Sequence, residues 1–186
     1  MSKIPNARKF LEMSAEMFRK MKIDSFPYDP MKARFRPEEH YTSGHCAEFA
    51  YVFAKFAKEN GIDASINVIF SNQYDSETEE HLGKVLSHCV VEIEHEGETV
   101  SFDINGDEAK ETWFIRVDYI YYRSAMNYKL EFENIPFSDD AKKRMADICK
   151  EQTVPFNVDD MEIDSGILKS ITDKRSHPQL KNEMSA

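Results

Sequence analysis

Two alternating runs on either side of a short polar break constrain this chain more than any other feature. Residues 85–93 and 98–104 place apolar side chains at every second position, and Glu96-Gly97 lies between them. Period-2 patterning marks a strand with one buried face, and a glycine-containing break of this kind marks a hairpin. Two registers satisfy the pattern. With a loop of Glu96-Gly97, residue 95 pairs with 98, and His88 lies opposite Asn105 and diagonal to Asp103. With a loop of 94–97, residue 93 pairs with 98, and His88 lies directly opposite Asp103. Either way His88 and Asp103 share one face, while Cys89, Val91, Ile93, Val100, Phe102 and Ile104 share the other. A three-residue loop mixes the faces and is rejected.

A helix is expected upstream. Ala50, Phe53, Ala54 and Ala57 follow Cys46 along one side, flanked by Phe49 and Phe56, and Asn60-Gly61 is a C-terminal stop. Ile62, Ala64, Ile66, Val68 and Phe70 then alternate as a half-buried strand. Residues 71–84 are polar and unpatterned, which predicts a lid or binding loop. Residues 113–133, rich in aromatic and branched side chains, predict one or two further strands. Ser138 is a candidate cap for a helix whose apolar face is Ala141, Met145, Ile148 and Cys149.

Nearer the N-terminus, 5–22 reads as an amphipathic helix striped by Phe10, Met13, Met17, Phe18 and Met21. Pro27, Pro30 and Pro37 make 24–44 a loop. Ile163, Ile167, Leu168 and Ile171 are candidates for docking onto the core. Together these elements predict one domain over 1–175, with a core at 40–133, an N-terminal helix at 5–22 and a C-terminal helix at 138–151. Residues 176–186 would be a flexible tail.

The residues able to do chemistry converge on three positions. Cys46 opens its helix, where the positive end of the macrodipole lowers a thiol's pKa and backbone N–H groups can hold an oxyanion. His88 can take the thiol proton, and Asp103 can orient the imidazole and stabilise its charged form. Asn105 or Asp107 would replace Asp103 in another register. An oxyanion hole would use the Cys46 N–H and one upstream donor, with His40 and Tyr41 as candidates; Asn105 is a supporting candidate. Glu48, one turn into the helix, reads as an exposed charge, with a salt-bridge or supporting role near the site as the alternative, and Cys89 and Cys149 read as core thiols. Zinc is the rival reading, since His40, His45, Cys46, His81, His88 and Cys89 are ligand types. Their spacing matches no ligand pattern, and the adjacent pairs His45-Cys46 and His88-Cys89 diverge. No metal or cofactor is therefore expected.

Gly44-His45-Cys46-Ala47-Glu48-Phe49-Ala50, followed by Gly61-Ile62-Asp63-Ala64, resembles the transglutaminase-like core. That core has a Gly-x-Cys at a helix start and a Gly-Ile-x-Ala entering the next strand. It continues with a histidine on a strand and an aspartate about fifteen residues on, as His88 and Asp103 stand here. The resemblance covers residues 40–108. It implies an α+β, papain-like fold, with the nucleophile helix packed on an antiparallel sheet, and a Cys46-His88-Asp103 triad. This chain departs from the family in having Cys89-Val90 after the histidine and Asp103-Ile104-Asn105 at the acid. The substrate class therefore stays open among acyl transfer, deamidation and peptide hydrolysis.

Charge narrows the partners. The chain has 186 residues and a formal charge of −10. Residues 71–112 hold twelve acidic residues against two lysines, while 1–36 hold nine basic residues against four acidic. Such a balance argues against nucleic-acid binding, which needs phosphate neutralisation. An acidic rim near His88 would favour a basic protein or peptide substrate. No apolar run reaches membrane-span length and the first residues lack a signal-peptide core, so no membrane role is expected. Three cysteines fit a reducing compartment. A cytoplasmic protein is expected, or one delivered into a host cell. The expected activity is thiol-dependent acyl transfer at amide bonds, as a cysteine peptidase or a deamidase. The alternative is a non-catalytic protein-binding module, of inhibitor or effector type, that keeps the same fold.

Overall fold

The computed structural model describes residues 7–9, 11–12, 15, 45–104, 106–107, 109–110, 113–115 and 126–159. Within them lie two helices described over their full length, further helical residues at 7–9, 11–12, 15, 109–110 and 113–115, and a five-stranded sheet. Helix α1 is Cys46–Glu59 and helix α2 is Ala141–Glu151. The strands are β1 (Ser65–Asp75), β2 (His81–His95), β3 (Glu98–Asp103), the two-residue β4 (Gly106–Asp107) and β5 (Met126–Pro136). Their order across the sheet is β4-β3-β2-β1-β5, and every neighbouring pair is antiparallel. This is an α+β architecture.

Helix α1 has the composition of a buried helix: alanines alternate with large aromatics, and its buried positions run well beyond a single stripe. It stops where the sequence predicts, and the stop is a Schellman motif. Gly61 takes φ +73°, its N–H bonds Lys58 O at 2.9 Å, and the Ile62 N–H bonds Ala57 O at 2.9 Å.

The face of the sheet under α1 carries Ile66, Val68, Phe70, Cys89, Val91, Ile93, Val100 and Phe102 in one core with Phe49, Phe53 and Phe56. Helix α2 adds Ala141, Met145, Ile148 and Cys149, the face expected from the sequence. Ser138, however, does not cap it. Asp140 is the N-cap residue, no side chain caps the helix, and Ser138 contributes only its carbonyl, to the Ala141 N–H.

The hairpin turn at Glu96-Gly97 settles the register. Both residues have positive φ, +54° and +87°, as a two-residue type I′ turn requires, and His95 pairs with Glu98. His88 is therefore diagonal to Asp103.

Three expectations are corrected. Residues 71–84 are not a loop, because β1 runs to Asp75 and β2 starts at His81. Beyond the buried Ser71 the segment is polar because every side chain of this ribbon is half-buried or exposed, and Asp75 closes its tip. The Asp75 Oδ1 accepts the N–H of Glu77 at 2.9 Å and of Thr78 at 2.8 Å. Residues 113–115 are helical rather than extended, and the strand described within 113–133 is β5, from Met126. The strand entering the sheet after α1 is covered on both faces from Ile66 to Ser71, since Ile69 packs with Trp113 on the side away from α1.

In the N-terminal region the helical residues put Ala7, Leu11 and Ala15 in the core. The predicted stripe of Phe10, Met13, Met17, Phe18 and Met21, the 24–44 loop, the docking candidates at 163–171 and the 176–186 tail lie outside the described residues.

Candidate active site

Helix α1 begins at Cys46. His45 is its N-cap residue, and the first helical bond runs from the Phe49 N–H to the His45 carbonyl at 3.2 Å. The His45 side chain caps no backbone N–H. Its Nδ1 turns instead to Glu48 Oε2 at 2.6 Å. Cys46 is thus the first helical residue, at the positive end of the macrodipole. Its thiol is buried with 5% of its surface exposed.

His88 sits directly after a bulge. Ile69 pairs with His88, but Phe70 pairs with Leu86, so Ser87 is the extra residue, and its hydroxyl bonds the Ser71 hydroxyl at 2.6 Å. A bulge sharpens strand twist and re-aims the neighbouring side chains. The β2–β3 ladder ends at Val91–Phe102, leaving Asp103 to pair with Gly106 at a tight turn. The carboxylate is held there beside the imidazole. His88 Nε2 lies 3.0 Å from Asp103 Oδ2, with both side chains buried. The opposite ring nitrogen, Nδ1, is buried and has no aligned hydrogen-bond partner.

Cys89 and His88 are the two residues whose side chains shift the Cys46 thiol. Hydrogen bonding from the Cys89 thiol, opposed by burial and helped by His88, holds Cys46 well below the ordinary thiol value. The Cys89 backbone N–H contributes in the same direction. Cys89 moves the opposite way, because its S–H is committed to Cys46 and it is buried. The assignment of the negative charge to Cys46 has a physical basis: Cys46 has the helix terminus and the imidazole, whereas Cys89 sits in mid-strand with neither. Burial pulls the His88 value down, but the Asp103 hydrogen bond and the Cys46 charge outweigh it and push the imidazole up to about 9. Both shifts favour a thiolate at Cys46 and an imidazolium at His88, with the Asp103 carboxylate on the far ring nitrogen.

Trp113, which sequence patterning left aside, and Glu48, for which a salt bridge was the alternative reading, both lie close to these residues. The Trp113 ring stacks on the His88 ring, with centroids 6.3 Å apart and planes 7° from parallel. Its position in a predicted strand hid this contact. Glu48 is not an exposed charge; it is 6% exposed. Its Oε1 accepts the Asn157 N–H at 2.6 Å, so one carboxylate ties His45, next to Cys46, to the segment after α2. The i, i+3 spacing of His45 and Glu48 was the available signal.

His40, Tyr41 and Asn105 lie outside the described residues, as does the Asp107 side chain, so the upstream oxyanion donor is not placed. Among the described residues no three His, Cys, Asp or Glu side chains form a group that could hold a metal ion. None of their helices is long and apolar enough to cross a membrane. No protein-family model, curated protein or solved structure matches this chain.

Proposed function

We propose that this protein is a thiol-dependent acyl-transfer enzyme acting on amide bonds of a protein or peptide, as a cysteine peptidase or glutamine deamidase. The observation that carries the reading is the buried His88–Asp103 hydrogen bond beside a thiol at a helix N-terminus, in the order Cys, His, Asp. The transglutaminase-like resemblance of residues 40–108 supports the same reading.

The Cys46 thiolate attacks the amide carbonyl carbon. The helix-terminal N–H of Cys46 holds the developing oxyanion. His88 donates its Nδ1 proton to the leaving amine, while its Nε2–H stays on Asp103. The amine departs and a Cys46 thioester remains. Water, or an acceptor amine, then attacks the thioester as neutral His88 takes its proton, and the thiolate is released. The acidic stretch at 71–112 favours a basic substrate over an acidic one, within the range that salt screening leaves.

The 5% exposure of Cys46 favours a second reading, a non-catalytic module that binds a protein partner. A proteome-derived peptide library assayed for ammonia release and for peptide cleavage separates the two. The enzyme reading expects one of these products, absent with Cys46→Ala. If neither product forms and Cys46→Ala still captures a partner, the binding reading stands in its place.

A further inference from the structure

Strand β5 forms one edge of the sheet, and among the described residues only β1 pairs with it. It is eleven residues long and pairs with β1 one to one from Met126 to Pro136, without a bulge. It holds no glycine, and its one proline is its last residue. Every second residue of such an edge turns its N–H and C=O outward, where another strand can pair with them. Bulges and interior prolines, which ordinarily blunt an edge, are missing from this strand. Charged side chains are present, and their order along the strand fits a second copy.

We infer that β5 is a self-association surface, at which a second copy of this chain adds its own β5, antiparallel, about a twofold axis through Leu130. This holds whether or not Cys46 is a nucleophile.

Register selects the occupant. Across a twofold axis normal to the sheet, opposed residues share a face, so the two residue numbers in each pair have an even sum. An axis at Leu130 sets Lys129 opposite the second copy's Glu131, twice, and Tyr128 opposite its Phe132, twice. Leu130 meets itself, and Asn127 meets Glu133. Opposite charges and aromatic pairs at directly opposed positions both stabilise a ladder. Neighbouring registers lose this. An axis at Lys129 opposes two lysines, one at Glu131 opposes two glutamates, and one at Phe132 opposes Glu131 to Glu133 twice. An axis at Tyr128 leaves Lys129 opposite Asn127.

The side chains are placed for the Leu130 register. Lys129 is exposed, with its Nζ 5.2 Å from the centre of the Tyr74 ring. Glu131 is exposed and accepts Lys84 Nζ at 2.5 Å, and its carboxylate has further acceptor sites. On the other face Phe132 is 45% exposed and stands edge-on to Phe114. Met126, Tyr128 and Leu130 are half-buried against Ile69 and Trp113. Pairing continues that apolar strip from one copy into the next. The twofold axis uses the same edge of both chains, so the association closes at two.

The test is sedimentation velocity on the full chain over a dilution series, with hydrogen exchange at both ends of the series. Wild type should pass from dimer to monomer on dilution, and β5 amides should lose protection with it while β1 amides keep theirs. Lys129→Glu and Glu131→Lys should each weaken the dimer roughly tenfold or more, because each sets like charges opposite one another twice. Mixed in equal amounts, the two variants should dimerise again, since every opposed charge pair is then one acid and one base. If either variant fails to fold, the wild-type series and its β5 protection decide. Wild type that stays monomeric at every concentration overturns the proposal. Its β5 amides then exchange freely if the edge is open, or stay protected if a segment of the same chain covers it. A dimer that both variants leave unchanged, or a mixture that stays monomeric, overturns the pairing about Leu130.

Discussion

His88 Nε2 stands 3.0 Å from Asp103 Oδ2, fifteen residues away on the neighbouring strand, and both side chains are nearly sealed from water. In that setting the carboxylate has one strong use, to hold the imidazole charged and oriented. Asp103→Asn removes the charge and keeps the shape. Iodoacetamide labelling of Cys46 at pH 7 should slow by roughly 10²-fold, the lower end of what a positioned acid–base group contributes. Labelling within about twofold of wild type would mean that Asp103 is only a structural partner of the histidine.

Trp113 offers a direct view of the same imidazole. It is the only tryptophan in the chain and it stacks on His88. A protonated imidazole quenches indole fluorescence. His88 is raised from 6.5 to about 9, so emission should stay quenched through neutral pH and rise as pH passes about 9. The step should vanish in His88→Gln. A step near 6.5 in wild type would show that burial, not Asp103 and Cys46, governs the histidine.

Glu48 should matter for stability. Its carboxylate accepts His45 Nδ1 and the Asn157 N–H, both at 2.6 Å, from a buried position. Glu48→Ala leaves both donors without it and should cost about 3 kcal/mol in urea unfolding, with Glu48→Gln costing less. Limited proteolysis should also find residues 154–158 more readily in the alanine variant. A loss below about 0.5 kcal/mol would show that water replaces the carboxylate at no cost.

Alkaline stability follows from Cys149. Burial pushes this thiol from 9.0 up to about 12. A folded value above the unfolded one gives a contribution that is complete below pH 9. It is lost as the unfolded chain ionises above pH 9 while the folded chain stays protonated, until about pH 12 is reached. Stability should therefore fall with pH above 9, by up to about 1.4 kcal/mol per pH unit from this thiol. Cys149→Ala lowers the starting stability but should flatten the slope between pH 9.5 and 11. An equal slope in the variant would place the alkaline loss elsewhere.

Sequence patterning located the helix start at Cys46, its stop at Asn60-Gly61, the hairpin and the buried face of α2, because each is written in local signals. Period-2 alternation also gave the shared face of His88 and Asp103, but only the positive φ values at Glu96 and Gly97 chose between the two registers. What escaped patterning depended on distant partners. Residues 71–84 read as a loop because, beyond the buried Ser71, every side chain of this ribbon is half-buried or exposed and none marks a buried face. Trp113 is buried by packing against β-strand residues far away in sequence, so its helical turn had no periodic signature. Period-2 alternation puts Cys89 on the core-facing side, in the core that also takes in Cys46, but its influence on the Cys46 thiol is encoded by no spacing along the chain.

The central claim is that Cys46 is an activated thiolate paired with His88. The most direct measurement is the iodoacetamide rate at Cys46 as a function of pH, in wild type and in His88→Ala. The account predicts a wild-type midpoint well below the ordinary thiol value of 9.0, with a rate already level at neutral pH, and a clear upward shift of the midpoint in His88→Ala. A wild-type midpoint at or above 9.0, unmoved by the substitution, would contradict it.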